Sequence, residues 1–196
     1  MDPWVPPDAD AGAALTRLAV AAVRARLLAE QFSPPVPERT GLLPVGASFV
    51  TLERGGALRG CIGSLEPTRP LYLDVVRNAC RAMADPRLAP VTAAEWTTLD
   101  VKVSVLGPLV DLPVGSRAEL LAALRPGLDG LLLTDGGRRS TFLPGVWRSL
   151  PDPDRFVAAL LVKGGWPAHG WPSGLAVHRY TSVEYVHPCP RPPLPG

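Results

Sequence analysis

One stretch of this chain, Leu58-Arg59-Gly60-Cys61-Ile62-Gly63, combines residue types that could do chemistry. A thiol sits between two glycines in what reads as a strand. Glycine weakens a strand, and there it marks a bulge or a close approach by another group. On a regular strand Arg59 and Cys61 share a face, because side chains alternate. A thiol of ordinary pKa, near 8.5, is only about 3% thiolate at neutral pH. A guanidinium about 6 Å away favours the thiolate by about 3 kcal/mol at an effective dielectric of about 20, but by less than about 1 kcal/mol in bulk water. A partly enclosed Cys61 beside Arg59 is thus a candidate nucleophile or covalent tether, with Arg59 holding the thiolate or an anionic substrate group. From composition alone the pattern favours a small buried core cysteine, the commoner fate of a thiol.

Other residues offer less. Asp85-Pro86-Arg87 could set a carboxylate and a guanidinium beside a site, or could simply end a helix with a local ion pair. Asp135–Ser140 could hold an anion on its glycine backbone, although a plain hairpin turn explains it as well. His169, His178 and His187 lie late in the chain, and nothing in their spacing brings them to Cys61, so Cys–His catalysis has no support. Lys163 complements a helix dipole. Cys80 falls on an apolar helix stripe and reads as core, whereas Cys189 lies in a proline-rich tail and reads as exposed. The spacing of these three cysteines matches no zinc or iron–sulfur pattern, so no metal site is expected. An odd number of thiols fits a reducing cytoplasmic setting.

Charge and hydropathy exclude further classes. Twenty basic residues face 18 acidic ones, and only Lys102 and Lys163 are lysines, without a basic stripe. Nucleic acid is therefore not an expected partner. No apolar run reaches the ~18 residues of a membrane span, and the acidic, proline-containing start does not read as a signal peptide. A membrane partner is not expected either.

The elements that must position these residues follow from periodicity and punctuation. Asp8 and Asp10 offer caps for a helix whose stripe runs Leu15, Leu18, Ala22, Val23 and Leu27. Ala47–Glu53 and Ala57–Ile62 flank Arg54-Gly55-Gly56 as a hairpin. Pro70 opens a helix with Leu73, Val76, Cys80 and Met83 on its apolar stripe, and Asp85-Pro86 ends it. Leu99–Val105 alternates as a half-buried strand. A short helix over Arg117–Leu124, a second hairpin around Asp135–Ser140, a helix capped by Asp152 and closing strands at Leu175–Tyr180 and Val183–Val186 complete the order. This alternation predicts an α+β fold with a largely antiparallel sheet and flanking helices.

Proline is in excess, with 24 in 196 residues, but 46% of the chain is apolar and supports a packed core. The prolines cluster at the ends and at Pro34–Pro37. The expected organisation is a disordered N-terminus over 1–11, a single domain over 12–187 and a disordered tail over 188–196, whose deletion would leave the melting temperature almost unchanged.

The hexapeptide also resembles the hallmark of the AMMECR-like domain family, whose bacterial and archaeal members are called AmmeMemoRadiSam system protein A. Phe49-Val-Thr-Leu before it and Leu65-Glu-Pro after it fit the family pattern. Asp85-Pro86-Arg87-Leu88 is similar to an Asp-Pro-Arg-Phe element, with Leu88 replacing the aromatic. Val103-Ser104-Val105-Leu106 resembles a Ser-Val-Leu strand. Thr141–Trp147 resembles a Leu-Pro-Gln-Val segment with Gly145 in place of the glutamine, and Lys163-Gly164-Gly165 stands where the family has Lys-Ala-Gly. The resemblance spans about residues 12–186. It implies two lobes with the hexapeptide beside a cleft. It also implies a role in a cytosolic modification pathway with a Memo-like protein and a radical SAM enzyme. On that reading Cys61 and Arg59 are the catalytic candidates, and Gly60, Gly63, Asp85, Arg87 and Ser104 the ligand-binding ones. The alternative is a non-catalytic binding module in which Gly60 and Gly63 admit a ligand or partner to the backbone.

Overall fold

A computed structural model describes residues 4–195. In chain order the elements are α1 (Ala9–Leu27), β1 (Ala47–Arg54), β2 (Ala57–Gly63), α2 (Leu71–Ala82), β3 (Leu99–Leu106), β4 (Val110–Asp111), α3 (Arg117–Ala123), β5 (Gly130–Asp135), β6 (Arg138–Phe142), α4 (Pro153–Lys163), β7 (Ala176–Tyr180) and β8 (Ser182–His187). The fold is α+β. The strands form two four-stranded antiparallel sheets, β2-β1-β3-β8 and β4-β7-β5-β6, instead of one. The chain divides into two compact units. One runs to Leu106 and resumes at Val183, and the other spans Gly107 to Ser182.

In the first unit Leu15, Ala19, Ala22 and Val23 of α1 and Val75, Ala79 and Ala82 of α2, with Met83 just beyond it, cover one face of the first sheet, whereas Leu73, Val76 and Cys80 of the expected α2 stripe are only partly buried. Val50, Leu52, Val101, Val103 and Val105 answer from the strands. Each such fully buried side chain contributes about 1.5–3 kcal/mol. Asp8 caps α1, its Oδ1 accepting from the Ala11 amide at 2.7 Å. A buried polar knot fixes α2 to the sheet. The carboxylate of Asp74 accepts from Ser48 N (3.0 Å), Ser48 Oγ (2.8 Å) and Asn78 Nδ2 (2.9 Å) on one oxygen. On the other it accepts from Ser64 Oγ (3.1 Å) and Arg69 Nη1 (2.8 Å). A buried charge so well bonded is tolerated, and it pins the chain where β2 ends.

In the second unit α4, capped by Asp152, packs Phe156, Val157, Leu160 and Leu161 onto Leu131, Leu133 and Val177. Trp147 stacks on Phe156 at 3.8 Å. The Asp135–Ser140 stretch is a hairpin turn joining β5 and β6.

The ends differ from the free spacers expected of them. Helix α1 starts at Ala9, within the N-terminal stretch read as disordered, and Trp4 packs on the first core. Beyond β8 the proline-rich tail is also anchored. Cys189 N donates to Asp100 Oδ1 (2.7 Å), and Arg191, 7% exposed, donates to the carbonyls of Leu99 and His187. The Arg191 guanidinium lies 5.2 Å from the Trp96 ring centre, and Trp96 Nε1 donates to Pro192 O at 2.8 Å. Cys189 is accordingly half-buried and not a bystander. Periodicity cannot reveal a segment that packs through its backbone and one arginine.

Candidate functional site

The position of Cys61 depends on one irregularity. Gly55 and Gly56, both at positive φ (56° and 80°), make a two-residue turn of the kind that suits a hairpin. Uninterrupted pairing from that turn would set Cys61 opposite Val50, on the core face. The observed register runs Arg54↔Ala57 and Glu53↔Leu58, then shifts to Leu52↔Gly60 and Thr51↔Cys61. Arg59 is the extra residue of a β-bulge. The slip of one residue moves every later side chain of β2 to the opposite face. Cys61 therefore shares the non-core face with Thr51, which lies between it and Lys102 of β3.

Three consequences correct the reading of Arg59. The strand is not regular, so Arg59 and Cys61 do not alternate as supposed. The Arg59 guanidinium is committed elsewhere: Nε donates to Glu95 Oε1 at 2.5 Å, and Nη2 donates to Glu95 Oε2 (3.2 Å) and to the carbonyls of Ala89 and Pro90. Its pKa is raised chiefly by the bond to Glu95, against burial. Arg59 is the anchor of the bulge. Glu95, 7% exposed and missed from sequence, sits in a 3-10 turn (Ala93–Thr98) with a Thr92–Glu95 capping box. Arg59 and the Thr92 backbone and hydroxyl draw its carboxyl down to about 2, against burial.

The group that does reach Cys61 is the Asp85–Arg87 pair. Because β2 is an edge strand, the peptide groups of Cys61 that point away from β1 need partners. Asp85 Oδ2 accepts from Cys61 N at 3.0 Å, and Arg87 Nη2 donates to Cys61 O at 3.1 Å. Asp85 also accepts from Arg87 N (3.1 Å), Nε (2.9 Å) and Nη2 (2.6 Å). Asp85 is 2% exposed, and its carboxyl lies far below the usual range, first through Arg87 and then through the Cys61 and Arg87 amides, with burial opposing. Arg87 is raised mainly by Asp85, with a smaller contribution from the charge of Cys61. Asp85-Pro86-Arg87 is thus both the helix stop and a clamp on both peptide groups of Cys61.

The thiol itself takes a hydrogen bond from Thr51 Oγ1 at 3.3 Å. Cys61 N–H is spent on Asp85 and is not available as an oxyanion donor. The Arg87 side chain is paired with Asp85 but remains 58% exposed, so its guanidinium is the cation beside Cys61 that solvent can reach. The arrangement suits thiolate attack on a substrate that carries its own negative charge.

On the Cβ side, Gly60 and Gly63 are met by the protein itself. A Cβ on Gly60 would stand 1.9 Å from Ala82 O, and one on Gly63 would stand 2.1 Å from the Phe49 ring. The close approach is by the protein's own α2 terminus and its own aromatic ring. Ser104 shares the thiol's face but lies on β3, where it pairs with Phe49 of β1, so β1 stands between it and Cys61. Two strand spacings, about 10 Å, separate the two strands concerned. Thr51 and Lys102 are nearer, and Lys102 Nζ is bound to Glu53 at 2.6 Å. Cys80 is half-buried against the core. Among the described residues no His/Cys/Asp/Glu group is arranged to hold a metal ion, and no helix is long and apolar enough to cross a membrane.

Comparison with known proteins places this geometry in a wider set. The family model AMMECR1 matches residues 16–185. A protein of Methanothermobacter thermautotrophicus is 41% identical over 125 residues, which cover 61% of this chain and 63% of that protein. Protein TK0174 of Thermococcus kodakarensis is 34% identical over 93% of both chains. The crystal structure of the uncharacterized protein PH0010 from Pyrococcus horikoshii superposes with a TM-score of 0.88 at 31% identity, over 95% of this chain and 96% of that one.

Proposed function

The chain belongs to the AMMECR1 family, and from that premise we propose that it is a thiol-dependent component of a modification pathway, with Cys61 as nucleophile or covalent tether. The observation that carries this is the bulge at Arg59 together with the Asp85–Arg87 clamp. One turns the thiol off the core face, and the other fixes its backbone and sets a cation beside it. Thr51 donates to the sulfur, Asp85 positions Arg87, and Arg87 receives an anionic substrate group. Its co-workers on this reading are a Memo-like protein and a radical SAM enzyme, as the family resemblance implies, in the cytoplasm.

The test is alkylation of the native protein between pH 6 and 8, followed by peptide mass spectrometry. Cys80, whose thiol burial pushes up, is the internal comparator. Cys61 reacts faster than Cys80 throughout; equal or slower modification sinks the nucleophile. In the reconstituted three-protein system, Cys61→Ser abolishes turnover and leaves assembly intact. Unchanged turnover rejects the catalytic role.

A further inference from the structure

A groove of about 270 Å³ opens on the core side of β2, away from the thiol's face, and is lined by Arg26, Ile62, Cys80, Arg81, Ala84 and Pro86. Its composition is uneven. Ile62, Ala84 and Pro86 make an apolar wall, while two guanidiniums, one from the last turn of α1 and one from the last turn of α2, stand at the rim. Neither arginine has a carboxylate within ion-pair distance among the described residues. The nearby acids are already taken: Glu30 pairs with Arg24 at 3.6 Å, and Asp85 is held by Arg87. The Arg26 charge is felt inside the groove, where it draws the Cys80 thiol down against the burial that pushes it up. Two uncompensated cations over an apolar wall select an anion with an apolar body, since guanidinium forks bind oxyanions well. The volume lies just below that of drug-sized pockets, which limits the ligand to a small metabolite.

We infer that this groove binds a small oxyanion, carboxylate or phosphate, carried on a short apolar body. It is separate from the Cys61 reading and does not depend on it. Its wall is nonetheless continuous with the clamp, because Ile62 follows Cys61 and Pro86 lies between Asp85 and Arg87. An occupant would press on the segment that holds Cys61.

Cys80 supplies the reporter. The full-length protein is alkylated with iodoacetate (anionic) or iodoacetamide (neutral), and the rates at Cys80 are compared in wild type and in Arg26→Ala/Arg81→Ala. The expected result is that the iodoacetate-to-iodoacetamide rate ratio falls by about tenfold in the double variant, the lower end of electrostatic focusing. It should hold in Arg17→Ala/Arg155→Ala, which removes the same charge from exposed helix positions outside the groove. Millimolar butyrate or inorganic phosphate should also slow iodoacetamide at Cys80 in wild type and not in the groove variant. Stronger protection by butyrate marks a carboxylate ligand, and stronger protection by phosphate marks a phosphorylated one. An unchanged rate ratio, absence of protection by both anions, or a Cys80 that neither reagent reaches overturns the proposal. Melting curves check that the variants are folded.

Discussion

Two acid–guanidinium pairs flank Cys61, and they differ in purpose. Asp85–Arg87 touches the cysteine, whereas Glu95–Arg59 holds the bulge that turns it outward. Replacing Arg87 with Gln should slow Cys61 alkylation by about fivefold at pH 7, the size of a screened charge effect near an exposed guanidinium. Arg59→Ala should leave the rate per folded molecule within about twofold while lowering stability, since it strands the buried Glu95 carboxylate. Equal slowing by both variants would refute the division of roles. The pH dependence follows from Glu95, whose folded value near 2 lies below its ordinary one. A depressed carboxyl stabilises the fold above its unfolded pKa and loses that contribution as pH falls toward the folded one. Glu95→Gln should therefore cost about 1–2 kcal/mol from pH 5 to 8, after discounting for the exposed side of Arg59, and the gap to wild type should close between about pH 4.5 and 2. Urea titrations across that range measure it, and a gap that persists at pH 2 contradicts the linkage.

At the scale of elements, the sequence makes the helices, both hairpins and the Leu99 strand legible, because each shows a period of 3.6 or 2 between glycine and proline stops. The face of Cys61 was not legible. A regular count from the Gly55-Gly56 turn points the thiol into the core, and only the extra residue at Arg59 reverses it. Glycines at 60 and 63 did signal close approach, but not by what. Glu95 and Thr51 escaped notice because their roles depend on contacts across 36 and 10 residues, which no local pattern encodes. Gly60 is where α2 meets β2, and it yields a sharp expectation. Gly60→Ala drives a Cβ onto the Ala82 carbonyl, a backbone atom that cannot swing aside, and should cost about 3 kcal/mol or more. Gly41→Ala, with nothing within 4 Å of its Cβ, should be nearly neutral. Denaturant midpoints decide it, and a Gly60→Ala protein as stable as wild type would mean that α2 does not pack on β2 at that point.

For the molecule as a whole, the family match ends at residue 185, yet the chain beyond it is part of the first core. The tail crosses the 3-10 turn that carries Glu95. Arg191 N donates to Thr97 O at 3.3 Å, the guanidinium lies on Trp96, and Leu194 joins the apolar cluster. Proline suits such a strap: its fixed φ lowers the entropy lost on docking, and its missing N–H leaves fewer donors to satisfy. The composition that reads as a loose spacer thus has a second physical use, and only the buried arginine and the apolar Leu194 distinguish the two. Deleting residues 188–196 removes a cation–π contact of about 0.5–2 kcal/mol, several hydrogen bonds of about 1 kcal/mol each and the cover of Trp96. The summed loss is about 2–4 kcal/mol after the tail's own ordering entropy is set against it. In a chain of this size each kcal/mol shifts the melting temperature by about 2–4 °C, so a fall of about 4–16 °C is expected. Trp96 fluorescence should move to the red in the folded truncate, and Arg191→Ala alone should give part of the fall. A truncate that melts within 1 °C of the full chain, with unshifted emission, would show that the tail is a spacer after all and that the 3-10 turn holds Glu95 without it.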